Sequence, residues 1–233
     1  MASNPTPIQI SIPPTLHPLT IPLITYLTTH NNLYTNLAIG ALIFLASPQN
    51  KPTRLLLLRR AATESAFPNL WEVPGGSSDA SDPTILHSVA RETFEETGLR
   101  LTRFVRGVGA GVEFVTPGKE GKGERRWVKL SFEIEVAEVH GVGGGGGHLH
   151  GASCQHEDGE KGNGVGDGGI DVEITLDPEE HQEYAWATEE DIRGDRYPIV
   201  TPEQKAVMLE GFALRKGDSD RVKAWIDGTQ EGS

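Results

Sequence analysis

The chain has 233 residues, of which 36% are hydrophobic and 23% charged. That is ample for a buried core in one domain with extensions, or two small domains, and it excludes a disordered or fibrous chain. The net charge of −12 argues against a general nucleic-acid or membrane-surface binder, which needs a cationic footprint, but leaves an anionic small molecule open because a bound divalent cation reverses the local field.

The first fifty residues carry no Lys, Arg, Asp or Glu, and Pro5, Pro7, Pro13, Pro14, Pro18 and Pro22 interrupt them. Neither a secretory signal nor an arginine-bearing transit peptide is expected from that pattern. Residues 1–20 read as an extended arm and Ile21–His30 as a short helix, so residues 1–30 form an N-terminal appendage to a domain over 31–233. Leu37–Ala46 is too short to cross a bilayer and reads as a buried strand. No membrane span is expected, and the cytosol is the favoured location, with the nucleus left open.

Leu37–Ala46 and Arg54–Arg59 flank the turn-forming Ser47–Pro52, which predicts two strands of a hairpin or of one sheet. After Trp71-Glu72-Val73-Pro74-Gly75-Gly76 comes the best-punctuated helix. Asp82 can cap it, Pro83 suits its first position, and Gly98 ends it in a left-handed conformation. Strands are predicted over Leu101–Val108, Gly111–Thr116, Trp127–Val136 and Asp171–Leu176, and helices over Pro202–Arg215 and Asp220–Ile226.

Residues 141–169, with the run Gly143–Gly147, hold too little apolar surface to offset ordering entropy, and read as a flexible insertion between two strands. His148, His150, Cys154 and His156 lie in it at no recognisable zinc spacing. Cys154 is the single cysteine, so an internal disulfide is impossible and a reducing compartment is the default.

On the helix before Gly98, Glu92, Glu95 and Glu96 fall at i, i+3 and i+4, with Ser88 a turn earlier. Ile85, Leu86, Val89, Ala90, Thr93 and Phe94 are expected to form an opposite, sheet-facing arc. Three carboxylates here repel one another and oppose the negative end of the helix dipole. A solvated acidic face is the bland explanation; hard divalent cations held through oxygen would relieve both penalties.

These residues resemble a known family. Pro74-Gly75-Gly76 followed by Arg91-Glu92-Thr93-x-Glu95-Glu96-x-Gly98-Leu99 is similar to the Nudix signature, G-x5-E-x7-R-E-U-x-E-E-x-G-U with U apolar. Leu55–Leu58 leading into Arg59-Arg60 resembles the strand before the signature in MutT-like members. Glu179–Trp186 resembles the segment that supplies a further metal-binding carboxylate. Two features depart from the pattern: the interval from Gly76 to Arg91 is one residue longer, and the early Glu is missing, with Asp79 and Asp82 as possible substitutes.

The resemblance implies an α+β fold, an α/β/α sandwich with a mixed sheet between helices. It also implies hydrolysis of a pyrophosphate bond in a nucleoside diphosphate linked to another moiety X, assisted by Mg²⁺ or Mn²⁺. By the same resemblance Glu95 and Glu96 are the main metal ligands, joined by the Gly75 carbonyl and a distal carboxylate. Glu180 is chosen for the last over Glu179 and Glu183. Glu92 is a ligand or the general base, and Arg91 orients the glutamates. Arg60, rather than Arg59, is assigned to the phosphates and Gly76 to substrate; Trp71 either stacks on a base of the substrate or packs in the core, and His181 receives no role. The expected partner is a small nucleotide derivative, with no nucleic acid and no membrane, and with monomer or homodimer undetermined. A Nudix-fold binding module without catalysis is the main alternative. Isomerase chemistry on this fold needs a cysteine beside the site, and Cys154 is badly placed for it.

Overall fold

Leu37 to Phe44 are buried without a break, as a strand covered on both faces must be. This strand, β1 (Asn36–Leu45), is central to a six-stranded mixed sheet with β2 (Arg54–Arg60), β3 (Trp71–Glu72), β4 (Leu101–Pro117), β5 (Glu124–Val136) and β6 (His181–Thr188). The computed structural model describes residues 9–45, 52–118, 123–137 and 172–230, with 222–230 as backbone only. The glycine-rich tract over 141–169, including Cys154 and its neighbouring histidines, lies outside the described residues.

The strand order is β3-β2-β1-β5-β4, and β6 pairs with β2. β1 runs parallel to β5 from Asn36↔Trp127 to Ile43↔Ile134, whereas it meets β2 only at Phe44↔Leu55 and Leu45↔Arg54. β6 pairs with β2 along its length, so β1 and β3 share the other edge of β2 and diverge. The chain after β3 fills the gap. Ala41 N–H donates to Pro74 O (2.7 Å), Ile39 N–H to Gly76 O (2.9 Å), and Ser78 N–H to Leu37 O (2.9 Å). Gly75 is required there: at φ +148°, a Cβ on it would lie 2.2 Å from Ile39 O.

Helices cover both faces, as expected of an α/β/α sandwich. Ile85, Leu86 and Val89 of α2 (Ile85–Thr97) pack with Tyr26 of α1 (Leu23–Thr29) and Leu16 against Ile39, Leu58, Phe104 and Phe132. On the other face Ile192 of α3 (Glu189–Arg193) and Met208 and Phe212 of α4 (Pro202–Gln230) cover Leu42, Phe44, Leu55, Leu57 and Trp71. Gly211 permits the close approach of α4, since a Cβ there would meet Leu42 at 2.5 Å. Glu133 of β5, 1% exposed, is neutralised by Arg106 of β4 (2.8 Å) and Arg215 of α4 (2.6 Å), and the second pair ties α4 to β5.

Several expectations are corrected. The cap of α2 is Thr84, whose side chain accepts from His87 N–H; Asp82 is used elsewhere. Leu101–Val108 and Gly111–Thr116 are one strand, bent where the β4–β5 register shifts between Val108 and Val112. Residues 172–177 have no regular structure, and Thr175 makes a single backbone bond to Thr97 O (2.9 Å). The two C-terminal helices are one, because Gly217 interrupts nothing. The arm is not merely extended: Ser11 joins the edge at Thr102 and Phe104, and Pro14–Leu19 form a 3₁₀ turn.

Candidate functional site

The buried stripe of α2 runs Ile85, Ser88, Val89, Glu92, Thr93 and Glu96, the i, i+3, i+4 pattern of one helix face. Its first half is mainly apolar and its second half carries acids. Glu92 and Glu96 therefore point inward beside the core residues, not away from them. Phe94, expected to pack on the sheet, is 54% exposed. With Glu95, Gly98 and Thr175 to Pro178 it borders a shallow hollow of about 580 Å³ that shares only Glu95 with the carboxylate cluster.

The diverging strands bring the loop and the second half of α2 together. Gly75 N–H donates to Glu96 Oε2 at 2.7 Å. Gly76 lies under the Glu92 carboxylate, where a Cβ would come 2.7 Å from Glu92 Oε2. Arg91 is the hub of the cluster. It grips Asp82 with two bonds of 2.9 Å, reaches Glu92 Oε1 and Glu95 Oε2 at 2.9 Å each, and binds Ser77 O at 3.0 Å. Asp82 is held at about 2, with the Arg91 bond as the largest cause. Asp79 lies nearby in a turn, accepting from Ser81 N–H.

Electrostatics single out Glu96. Burial, opposed by the Gly75 N–H and reinforced by Glu72, Glu92 and Glu180, pushes its carboxyl well above the ordinary range. Burial likewise raises Glu92, partly opposed by Arg91. Glu180 comes from the turn before β6. Its carbonyl accepts from Ala61 N–H (2.8 Å), and its carboxylate, one from Glu96 and a ring nitrogen of His181 lie within 4.8 Å of one another. Glu183 instead pairs with Arg59 at 3.1 Å; Glu179 and Glu180 are both exposed, and of the two it is Glu180 whose carboxylate reaches Glu96 and His181.

The remaining candidates are placed differently. Arg60 donates to Glu72 (2.5 Å), Glu64 (2.7 Å) and Ala66 O (2.8 Å), so its guanidinium is largely committed within the protein. Trp71 is buried on the far face, edge-on to Tyr197 at 4.9 Å. Sequence reasoning overlooked Glu72. Burial opposes its ionisation, yet His181, Lys129 and Arg60 hold it at about 2. A charged residue between Trp71 and Val73 in an otherwise apolar stretch was the available signal.

A family model, the NUDIX domain, matches residues 36–159. The chain belongs to the Nudix family. The match covers the loop–α2 unit and stops before Glu180 and His181. The m7GpppN-mRNA hydrolase NUDT17 of Danio rerio is 42% identical over 64 residues, which is 28% of this chain and 20% of that relative. Among solved structures, the MutT protein of Methanosarcina mazei Go1 is similar at 22% identity and a TM-score of 0.46, over 78% of this chain and 94% of that one. The Ap4A hydrolase of C. elegans is similar at 18% identity and a TM-score of 0.45, over 78% and 99%. Among the described residues, no helix of this Nudix chain is long and apolar enough to cross a membrane.

Proposed function

We propose that this Nudix chain hydrolyses a pyrophosphate bond in a nucleoside diphosphate linked to another moiety X, releasing nucleoside monophosphate and phosphate-X with the aid of Mg²⁺ or Mn²⁺. The observation that carries the reading is the crowding of Glu92, Glu96 and Glu180 at the strand divergence. Glu96 is only 3% exposed there and has acidic neighbours and one N–H donor. Such a cluster fits a hard cation bound through oxygen, which removes the mutual repulsion.

Glu96 and Glu180 would hold the ion, with Glu95 and the Gly75 carbonyl completing the set. The ion supplies charge neutralisation at the phosphates and a more acidic water. Arg91 is a positioning residue, fixing Glu92 and Glu95 in one geometry against Asp82. Glu92, its proton affinity raised by burial, can accept the proton from the attacking water if it is not itself a ligand. The absence of a side chain at Gly76 lets the Glu92 carboxylate lie against the loop, where a Cβ would collide with it. Asp82, bound bidentately by Arg91, anchors the arginine and is not free to replace the missing early glutamate.

The net charge of −12 favours a small nucleotide over a long polynucleotide. The match to a relative named for capped-mRNA hydrolysis favours a second reading, a capped RNA end, whose triphosphate bridge presents the same bonds. The test is a panel of nucleotide sugars, ADP-ribose, dinucleoside polyphosphates, coenzyme A, nucleoside triphosphates and capped RNA, with products identified by mass spectrometry. Release of a monophosphate only when metal is present supports the reading. Tight binding without turnover across the panel would make the chain a binding module.

A further inference from the structure

His181 opens β6 and is 1% exposed, yet neither ring nitrogen has a hydrogen-bond partner among the described residues. Buried polar groups are nearly always satisfied, and an orphaned imidazole is destabilising. The Glu72 carboxylate, which the ring helps to keep ionised, is too far to satisfy it, since its Oε1 is 3.8 Å from Nε2 and no hydrogen bond forms at that distance. A ring nitrogen does lie within 4.8 Å of ligand oxygens of Glu96 and Glu180. Backbone bonds fix this placement: His181 N–H donates to Asp177 O at 2.8 Å, and Glu180 O accepts from Ala61 N–H at 2.8 Å. The β2–β6 pairing at Arg60↔His181 holds the same backbone in place, from which the ring projects into the buried interior.

We propose that His181 supplies a nitrogen ligand to the cation shared by Glu96 and Glu180, so that this site selects manganese-class ions over magnesium. The inference rests on the metal-dependent reading above and adds a ligand to it. An imidazole suits transition metals, whereas magnesium takes oxygen donors almost exclusively. Glu72, kept ionised by Arg60 and Lys129, places negative charge beside the ring and strengthens it as a donor.

The full chain is freed of metal and titrated with Mn²⁺, with binding followed by electron paramagnetic resonance and the ligands by pulsed measurement of nitrogen coupling. The proposal expects coupling from one directly bound imidazole nitrogen. That coupling should vanish in His181→Gln and persist when His148, His150 and His156 are all changed to Gln. The His181→Gln variant should bind Mn²⁺ about tenfold more weakly, with Mg²⁺ affinity nearly unchanged. Should that variant fail to fold, protein carrying ¹⁵N-histidine with the other seven histidines replaced by Gln gives the answer, since the coupling must then change isotope. Bound Mn²⁺ without nitrogen coupling, or coupling that survives in His181→Gln, overturns the role of His181 while leaving the carboxylate reading intact. No Mn²⁺ binding at all overturns both.

Discussion

Changing Arg91 to Ala removes a guanidinium that makes five hydrogen bonds, to Asp82 twice and to Glu92, Glu95 and Ser77 once each. The acceptors differ in exposure: the Asp82 side chain is 7% exposed and that of Glu92 12%, whereas Glu95 is 54% exposed. Breaking a fully buried ion pair costs roughly 3–5 kcal/mol because the remaining charge is stranded. Arg91 itself is 31% exposed, so solvent screens part of that loss, and the Glu95 bond adds little. We therefore expect about 2–3 kcal/mol of destabilisation, mostly from Asp82 and Glu92. For a chain of this size that lowers the melting temperature by roughly 5–10 °C. The assay is thermal unfolding by circular dichroism in EDTA at low salt and neutral pH. Arg91→Lys should recover only part of the loss, since an ammonium cannot grip Asp82 bidentately and reach Glu92 as well. A loss under about 0.5 kcal/mol for Arg91→Ala would mean that Arg91 does not organise this cluster.

Glu95→Gln should leave the fold intact, because its carboxylate is exposed and bonded to Arg91 alone among the described contacts, while abolishing most turnover; wild-type kinetics in that variant would remove Glu95 from the site. Gly75→Ala should destabilise by about 3 kcal/mol or more, from strained backbone and collision with Ile39 O, as measured by urea unfolding. Near-neutral behaviour would mean that the loop is not held against β1. The raised carboxyls of Glu92 and Glu96 bind protons better in the folded chain than in the unfolded one, so metal-free stability should fall as pH rises from about 4.5 through their folded values. Asp82 and Glu72, both held near 2, act the opposite way, contributing stability at neutral pH that is lost as pH falls toward 2. Melting in EDTA across pH should thus show a maximum on the acid side of neutrality, and added Mn²⁺ should raise stability most at higher pH. A metal effect independent of pH would contradict the crowding of acids.

The parts of the site legible in the sequence are those written in helical spacing and local turn chemistry. Glu92, Glu95, Glu96 and Gly98 announced α2, and Pro74-Gly75-Gly76 announced the loop before it. What escaped depends on distant partners. Asp82 and Thr84 are both cap residues by type, and only the return of Arg91 onto Asp82 decides which of them caps the helix. Arg60 looked free at a strand end, but Glu72 and Glu64 arrive from a later strand and loop to engage it. β6 was hidden because Glu179-Glu180-His181-Gln182-Glu183 reads as polar loop, while its pairing with Leu55–Arg60 is made across more than a hundred residues. His181 drew no role for the same reason: its burial follows from that pairing, not from its neighbours in the chain.

The central claim, that the inward acids of α2 run a metal-dependent hydrolysis, is tested most directly with Glu96→Gln. The change removes one charge from a crowded, buried position without altering shape, so the metal-free protein should fold at least as stably as the parent. Turnover of the best panel substrate, measured with Mg²⁺ or Mn²⁺ and again in EDTA, should fall in the variant toward the level seen in EDTA for the parent. Unchanged, metal-dependent turnover by a folded Glu96→Gln protein would place the chemistry elsewhere.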